Sequence, residues 1–188
     1  MSESKEFAII VLKLMLISTV AAALLGITYI PTQAQMKINQ EIARDEGMKE
    51  IMPLANSFDA VYGEKIIDEE GNKEVLYYRA LDPSGNVVGY VFFKSEPGSQ
   101  GLIDLAGGVD ASFTTLTGMK VMAHGETPGM GAKIVEPAFR DQFTNVAMAD
   151  LQLKSNGGKI DAISGATISS KAVISGLNGG VEELKNSV

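Results

Sequence analysis

Hydrophobic residues along the chain form three patterns. The first is a nearly continuous apolar run over residues 7–30, in which Lys13 is the only charged residue. Its length matches the roughly 20 residues that a helix needs to cross a bilayer. Apolar residues then recur at near-helical spacing over 36–55, and alternate in the manner of strands within 74–124. The chain is therefore predicted to contain a membrane anchor, a helical stalk and a domain with a sheet.

The apolar run has two other interpretations. A cleaved signal peptide has a shorter apolar core, of about 7–15 residues, and the segment after this run is a poor cleavage site. A buried helix of a soluble domain would need a large core around it. A retained single-pass anchor is favoured, and we expect Pro31 to end or interrupt its helix. Basic residues are nearly balanced on the two sides of the run, so charge favours an N-terminus inside the cell only slightly.

These patterns divide the chain into an anchor (1–31), a stalk (32–56) and a domain (57–188). Segments 74–81 and 87–94 flank the turn sequence Asp-Pro-Ser-Gly-Asn and predict a β-hairpin. The remaining predicted elements are strands over 102–105 and 113–124, a short helix over 136–144 and a closing helix over 168–185. Because helices are interspersed among strands, we predict an α+β fold.

Composition and charge exclude several function classes. The formal net charge is −7, and binding to nucleic acid is not expected because phosphate contacts require a basic surface. The absence of cysteine excludes disulfides, thiol redox chemistry and cysteine-ligated metals. His124 is the single histidine, so a cluster of histidine ligands is excluded as well.

One motif lies where the closing helix begins, at residues 161–170, DAISGATISS. A glycine-containing turn that leads into a helix presents backbone N–H groups without intrahelical partners, and such a terminus binds phosphate. Thr167 is predicted as the N-cap of this helix. Ser and Thr are also ordinary capping residues, so such a motif by itself more often has a purely structural role.

A second motif, residues 124–134, reads HGETPGMGAKI. Three glycines and a proline predict a rigid loop whose backbone can approach a flat ligand closely. By itself this motif, too, is compatible with an ordinary tight turn.

Taken together, the two motifs resemble those of the FMN-binding domain family. Asp-x-x-Ser-Gly-Ala-Thr resembles the flavinylation motif of that family, and Gly-Glu-Thr-Pro-Gly-Met-Gly resembles its upstream loop. The order of elements is similar to that of the G subunits of Rnf complexes and of the C subunits of Na⁺-translocating NADH:quinone reductases. The compact length and the stalk favour the G subunits.

The resemblance implies that FMN is attached through its phosphate to Thr167, with Asp161 as part of the signal read by a flavin transferase. Met130 replaces a leucine that is commoner in the family, and Ala132 stands where an aspartate is frequent. The other cofactor-binding residues implied by the resemblance are Ser164, Gly165, Ala166, Ser169 and Ser170 in one motif, and Glu126, Thr127, Gly129, Met130 and Gly131 in the other.

The resemblance also implies a function: an electron-carrying component of a membrane complex that couples electron transfer between ferredoxin and NAD to Na⁺ or H⁺ transport. Its partners would be other membrane subunits, its domain would face outward, and it would need no catalytic site of its own. A membrane-anchored flavin-binding or sensory module outside any pump, and a scaffold domain without cofactor, remain alternatives. His124 is interpreted as a structural residue rather than a proton relay, whereas Lys133 is left open between a cofactor contact and a surface charge.

Overall fold

The computed structural model describes residues 3–66, 71 and 73–188. The acidic run Asp68-Glu69-Glu70, predicted as a turn between strands, lies outside the described residues. The chain divides into two compact units, of which the first ends at Ala43 and the second is Arg44–Val188.

The first helix, α1, spans Glu3–Ile51 and contains the apolar run. Its segment Glu6–Gly26 is the one stretch, among the residues described, that is long and apolar enough to cross a membrane. The prediction that Pro31 ends or interrupts the helix is wrong, because α1 continues through that position. A proline removes a single i→i−4 hydrogen bond, and a long helix retains enough other turns to continue past it.

The second unit is built on a six-stranded antiparallel sheet in which each strand pairs with the next in sequence. The strands are β1 (Ser57–Ile66), β2 (Lys73–Leu81), β3 (Val87–Pro97), β4 (Leu102–Asp110), β5 (Thr115–His124) and β6 (Val146–Ala147). Two helices follow β5: α2 (Pro137–Arg140) and α3 (Thr167–Ser187). The predicted α+β class, hairpin and closing helix are confirmed, whereas β1 and β6 were not predicted.

The β2–β3 turn is held by the side chain of Asp82, as the turn sequence predicted. Its Oδ1 accepts the backbone N–H groups of Ser84 at 2.8 Å and Asn86 at 2.9 Å. These hydrogen bonds favour the charged carboxylate and lower the pKa of Asp82, the largest contribution coming from the side chain of Asn86.

Helix α3 packs on one face of the sheet, where it forms the larger hydrophobic core. Two of its glycines face the sheet at close range. A Cβ on Gly180 would overlap the ring of Phe92, and a Cβ on Gly176 would lie 2.7 Å from Leu105 Cδ1. The small residues of α3 therefore set how closely its backbone approaches the strands.

The opposite face of the sheet is covered by the last turns of α1. Tyr77 belongs to the core under α3, whereas its neighbour Tyr78 packs with Met48 and Met52. Adjacent strand residues point to opposite faces, so the two clusters lie on the two sides of the sheet. The end of α1 is thus part of the hydrophobic core of the second unit.

Candidate functional site

The two sequence motifs meet at one cavity of about 360 Å³ in the second unit. It is lined by Ser99, Gln100, Glu126, Thr127, Met130, Gly131, Gly165, Ala166, Thr167, Ile168 and Ser169. Eight of these residues were predicted as cofactor-binding. A larger cavity of about 650 Å³ lies beside the end of α1 and contains none of the predicted residues.

The cavity reaches the first turn of α3. The N-cap is Ala166 and Thr167 is the first helical residue, so the prediction of Thr167 as N-cap is wrong by one position. The first helical backbone bond joins Ser170 N to Ala166 O at 3.0 Å. Among the described residues, the three preceding N–H groups, from 167 to 169, have no acceptor. The positive end of the helix dipole and these free donors suit a phosphate group.

The four hydroxyl groups near this helix start differ in their surroundings. Ser169 is buried and donates to Glu126, while buried Ser170 donates to Ala166 O and accepts from Ile163 N–H, both at 3.0 Å. Ser164 is exposed in the preceding turn and does not line the cavity. Thr167 is exposed, lines the cavity and has no hydrogen-bond partner for its hydroxyl within the described part of the chain.

Glu126 is the buried acidic residue of the site, with 5% of its surface exposed. Its Oε1 accepts the backbone N–H groups of Ser99 at 2.7 Å and Gln100 at 3.1 Å, and its Oε2 accepts the hydroxyl of Ser169 at 2.5 Å. Burial raises the pKa of this carboxyl, but the hydrogen bonds from these three donors and the nearby His124 together lower it below its ordinary value. Glu126 is therefore ionised at neutral pH.

The loop that follows Glu126 is held by its own backbone. The carbonyl of Thr127 accepts the N–H groups of Met130 at 3.2 Å and Ala132 at 3.1 Å. Exposed Gly129 adopts a φ of +76° at the tip of this turn, a conformation that glycine accepts without steric cost. Met130 and Ile168, which are 50% and 61% exposed, give the cavity an open apolar surface.

Four predicted residues lie outside the lining: Gly129, Ser164, Ser170 and Asp161. The side chain of Asp161 is exposed and accepts from Lys154 Nζ at 2.6 Å, while its backbone N–H donates to Gln142 at 2.7 Å. His124 also lies outside the lining, and its Nδ1 accepts the N–H of Glu126 at 3.2 Å, a structural contact.

Sequence reasoning missed three of the lining residues: Ser99, Gln100 and Ile168. The first two belong to the loop between β3 and β4, which pairing of Ile103 with His124 brings beside the second motif. The glycines on both sides of Ser99-Gln100 indicate a turn in the sequence. They do not indicate that this turn lies beside the second motif.

The cavity fits a phosphate-bearing planar cofactor. Unpartnered helix N–H groups and the free Thr167 hydroxyl suit the phosphate, and exposed apolar side chains suit an aromatic ring system. No cluster of metal-ligating side chains occurs in the part of the chain that the structure describes. The unpartnered N–H groups and the Thr167 hydroxyl are hydrogen-bond donors, so this end of the cavity suits an anion.

A family model described as FMN-binding domain matches residues 98–182. This stretch contains every residue that lines the cavity. The fold and the site thus define a protein with an FMN-binding domain, as the two motifs predicted.

Similarity to whole proteins identifies the family more specifically. The chain is 50% identical, over 182 residues, to the G subunit of the ion-translocating oxidoreductase complex of Methanosarcina acetivorans, covering 97% of this chain and 96% of that one. It is 33% identical to the G subunit of the Na(+)-translocating ferredoxin:NAD(+) oxidoreductase complex of Acetobacterium woodii, with 92% and 89% covered. The chain belongs to the family of G subunits of ion-translocating oxidoreductase complexes.

A solved structure supports the fold. The crystal structure of the C subunit of the Na(+)-translocating NADH-quinone reductase from Parabacteroides distasonis matches with a TM-score of 0.53 at 20% identity, covering 80% of this chain and 94% of that one. This likeness shows that the two chains share an architecture.

Proposed function

We propose that this protein is an electron-carrying component of a membrane-bound Rnf-type complex, which couples electron transfer between ferredoxin and NAD to the transport of Na⁺ or H⁺. The names of its relatives support this assignment, since the one from Acetobacterium woodii belongs to a ferredoxin:NAD(+) oxidoreductase complex. The chain would serve the reaction as a carrier within a translocase, with other membrane subunits as its partners.

We further propose that FMN is bound covalently, as a phosphoester of Thr167. The observation that carries this proposal is the contrast among the hydroxyl groups at the start of α3. Ser169 and Ser170 are buried and engaged, whereas Thr167 is exposed, lines the cavity and lies beside three free N–H groups. A phosphate joined to Thr167 Oγ1 would keep a negative charge at the positive end of the helix.

The remaining residues of the site have supporting roles in this proposal. Met130 and Ile168 would pack against the ring system, and the turn at Gly165, with a φ of +78°, would let the backbone approach it. The flavin, when bound, supplies the redox chemistry, and the protein supplies placement and electrostatics. Exposed Asp161 is accessible to a flavin transferase, which supports a role as part of the attachment signal.

The helix segment Glu6–Gly26 would anchor the protein in the membrane as a single span. We propose that the FMN-binding domain lies on the extracytoplasmic side. Covalent attachment supports this sidedness, because FMN that dissociated outside the cell would be lost by dilution.

The first experiment tests attachment. The full chain is expressed with a flavin transferase directed to the same compartment, separated on a denaturing gel and illuminated in the ultraviolet. We expect a fluorescent band for the wild type and for Thr167→Ser, which keeps the hydroxyl, and a dark band for Thr167→Ala. Ser175→Ala is the matched control, because it removes an exposed hydroxyl of the same helix that lies outside both motifs and outside the cavity lining, and it should stay fluorescent.

Two results would count against covalent attachment at Thr167. Fluorescence that persists in Thr167→Ala would assign attachment to another residue. A dark wild-type band, beside a flavinylated standard that fluoresces, would remove covalent FMN altogether. Purification from the native membrane then tests the complex: a component of an Rnf-type pump copurifies with several multi-span proteins, whereas a lone sensory module does not.

A further inference from the structure

Both oxygens of the Glu126 carboxylate are already engaged within the protein. Its two oxygens accept three hydrogen bonds, from the Ser99 and Gln100 N–H groups and from the Ser169 hydroxyl. These donors come from the β3–β4 loop and the first turn of α3, whereas Glu126 itself follows β5. We propose that Glu126 is a positioning residue, which fastens these three segments together so that the cavity keeps its shape before any cofactor arrives.

The surrounding backbone is shaped around this carboxylate. A Cβ on Gly98 would overlap Oε1 of Glu126, and a Cβ on Gly131 would overlap Oε2 and lie 2.8 Å from Ser169 Oγ. Glycine at both positions lets the two loops close directly on the carboxylate oxygens. Close packing and hydrogen bonding therefore both act on the two carboxylate oxygens of Glu126. A side chain that only touches a ligand would not need such surroundings.

The length of the side chain is decisive in this arrangement. Oε1 faces the β3–β4 loop and Oε2 faces α3, so the carboxylate must reach both at once. Aspartate keeps the charge but is one methylene shorter, and cannot hold both segments in place. Glutamine keeps the length: its carbonyl oxygen can accept the two backbone N–H groups, and its amide can donate to the Ser169 hydroxyl.

The chain also offers a matched control. Glu96 accepts a hydrogen bond from Ser175 of α3 at 2.8 Å, so it too links the sheet to this helix through a glutamate–serine pair. Glu96 does not line the cavity. Shortening Glu96 weakens a bond of the same kind at an exposed position, and Glu96→Gln makes the same change of charge, in both cases without touching the site.

The experiment compares Glu126→Asp and Glu126→Gln with Glu96→Asp and Glu96→Gln in the full chain. Amide hydrogen exchange at Ser99 and Gln100 is measured in a Thr167→Ala background, which carries no covalent flavin. The flavinylated fraction and the flavin midpoint potential are measured with Thr167 intact. The flavinylated fraction and the midpoint potential rest on the proposed function, whereas amide exchange does not. A dark wild-type band would therefore refute that function, while amide exchange would still decide the role of Glu126.

We expect Glu126→Asp to speed exchange of both amides several-fold and to lower the flavinylated fraction. Glu126→Gln should keep amide exchange and the flavinylated fraction near wild type. The flavin potential should rise in this variant, because a negative charge has left the cavity wall. Both Glu96 variants should resemble the wild type. Wild-type exchange in Glu126→Asp, or equal loss of protection in Glu126→Gln and Glu126→Asp, would each overturn the proposal. An unchanged potential in Glu126→Gln would instead count against the proposed position of the flavin.

Discussion

Two adjacent glycines in α3 give a direct test of how closely this helix packs on the sheet. A Cβ on Gly180 would overlap two carbons of the Phe92 ring and lie 3.0 Å from a third, whereas a Cβ on Gly179 would meet nothing within 4 Å. Phe92 is 3% exposed, and its ring also lies against Gly107, so it has little room to move away. Substitution by alanine at the two positions should therefore have opposite effects on stability.

The magnitude follows from two contributions. Replacing glycine by alanine in a helix interior stabilises it by about 1 kcal/mol, and this contribution is common to both variants. Overpacking in a dense core costs about 1–3 kcal/mol, and the confined ring places Gly180→Ala at the upper end. The free energies of unfolding of the two variants should thus differ by about 3 kcal/mol, with Gly179→Ala above the wild type and Gly180→Ala below it.

The assay is thermal unfolding of the full chain in a mild detergent, followed by tyrosine fluorescence, since the chain has five tyrosines and no tryptophan. The expected difference in Tm between Gly179→Ala and Gly180→Ala is roughly 6–12 °C for a protein of this size. Phe92→Leu should destabilise the wild type more than it destabilises Gly180→Ala, because the smaller side chain relieves the overlap. Equal Tm values for the two alanine variants would refute the close packing described for α3.

Three further predictions concern the site and the domain boundary. Folding lowers the pKa of Glu126, so this carboxylate stabilises the protein above the unfolded-state pKa of about 4.3, and the contribution is lost as pH falls through the folded-state pKa. The free energy of unfolding, measured with urea, should therefore fall less in acid for Glu126→Gln than for the wild type. Ser170→Ala leaves the half-buried N–H of Ile163 without its partner and should cost about 1 kcal/mol in the same urea assay. The variant should still be flavinylated, so its band on a denaturing gel should fluoresce under ultraviolet light. A chain that begins at Arg44 should fold without the anchor, whereas one that begins at Ser57 should aggregate, and size-exclusion chromatography checks both. The shorter chain lacks the buried side chains of Met48, Ile51 and Met52. Their burial stabilises the domain by about 5–9 kcal/mol, which is near the whole stability of a domain.

Sequence reasoning predicted most of the fold, because the decisive signals are local. The β2–β3 hairpin follows from alternation around a turn sequence, and α3 follows from an apolar, small-residue face. β1 was missed because Gly63 and several charged residues interrupt its alternation, and its residues 57–65 are all exposed or half-buried. Its place in the sheet depends on pairing with β2, which no pattern within 57–66 specifies.

The site was predictable in part, and for a different reason. The two motifs are separated by 26 residues, and their juxtaposition came from the family resemblance, since neither motif alone indicates the other. Ser99 and Gln100 were missed because the register between β4 and β5, which brings them to the cavity, is a tertiary property. The side-chain roles of Glu126 and Ser169 likewise depend on a hydrogen bond between residues 43 positions apart.

The glycines of α3 also have a consequence for the order of events during maturation. Three glycines in a 21-residue helix lower its intrinsic helicity by about 3 kcal/mol relative to alanine, so this segment is a weak helix in an unfolded chain. Packing on the sheet is what makes it helical, and its ordered, unpartnered N–H groups therefore exist only after the domain has folded. A modifying enzyme that requires this helix start would act on folded chains alone, and the modification proposed at Thr167 would then distinguish molecules that have folded from those that have not.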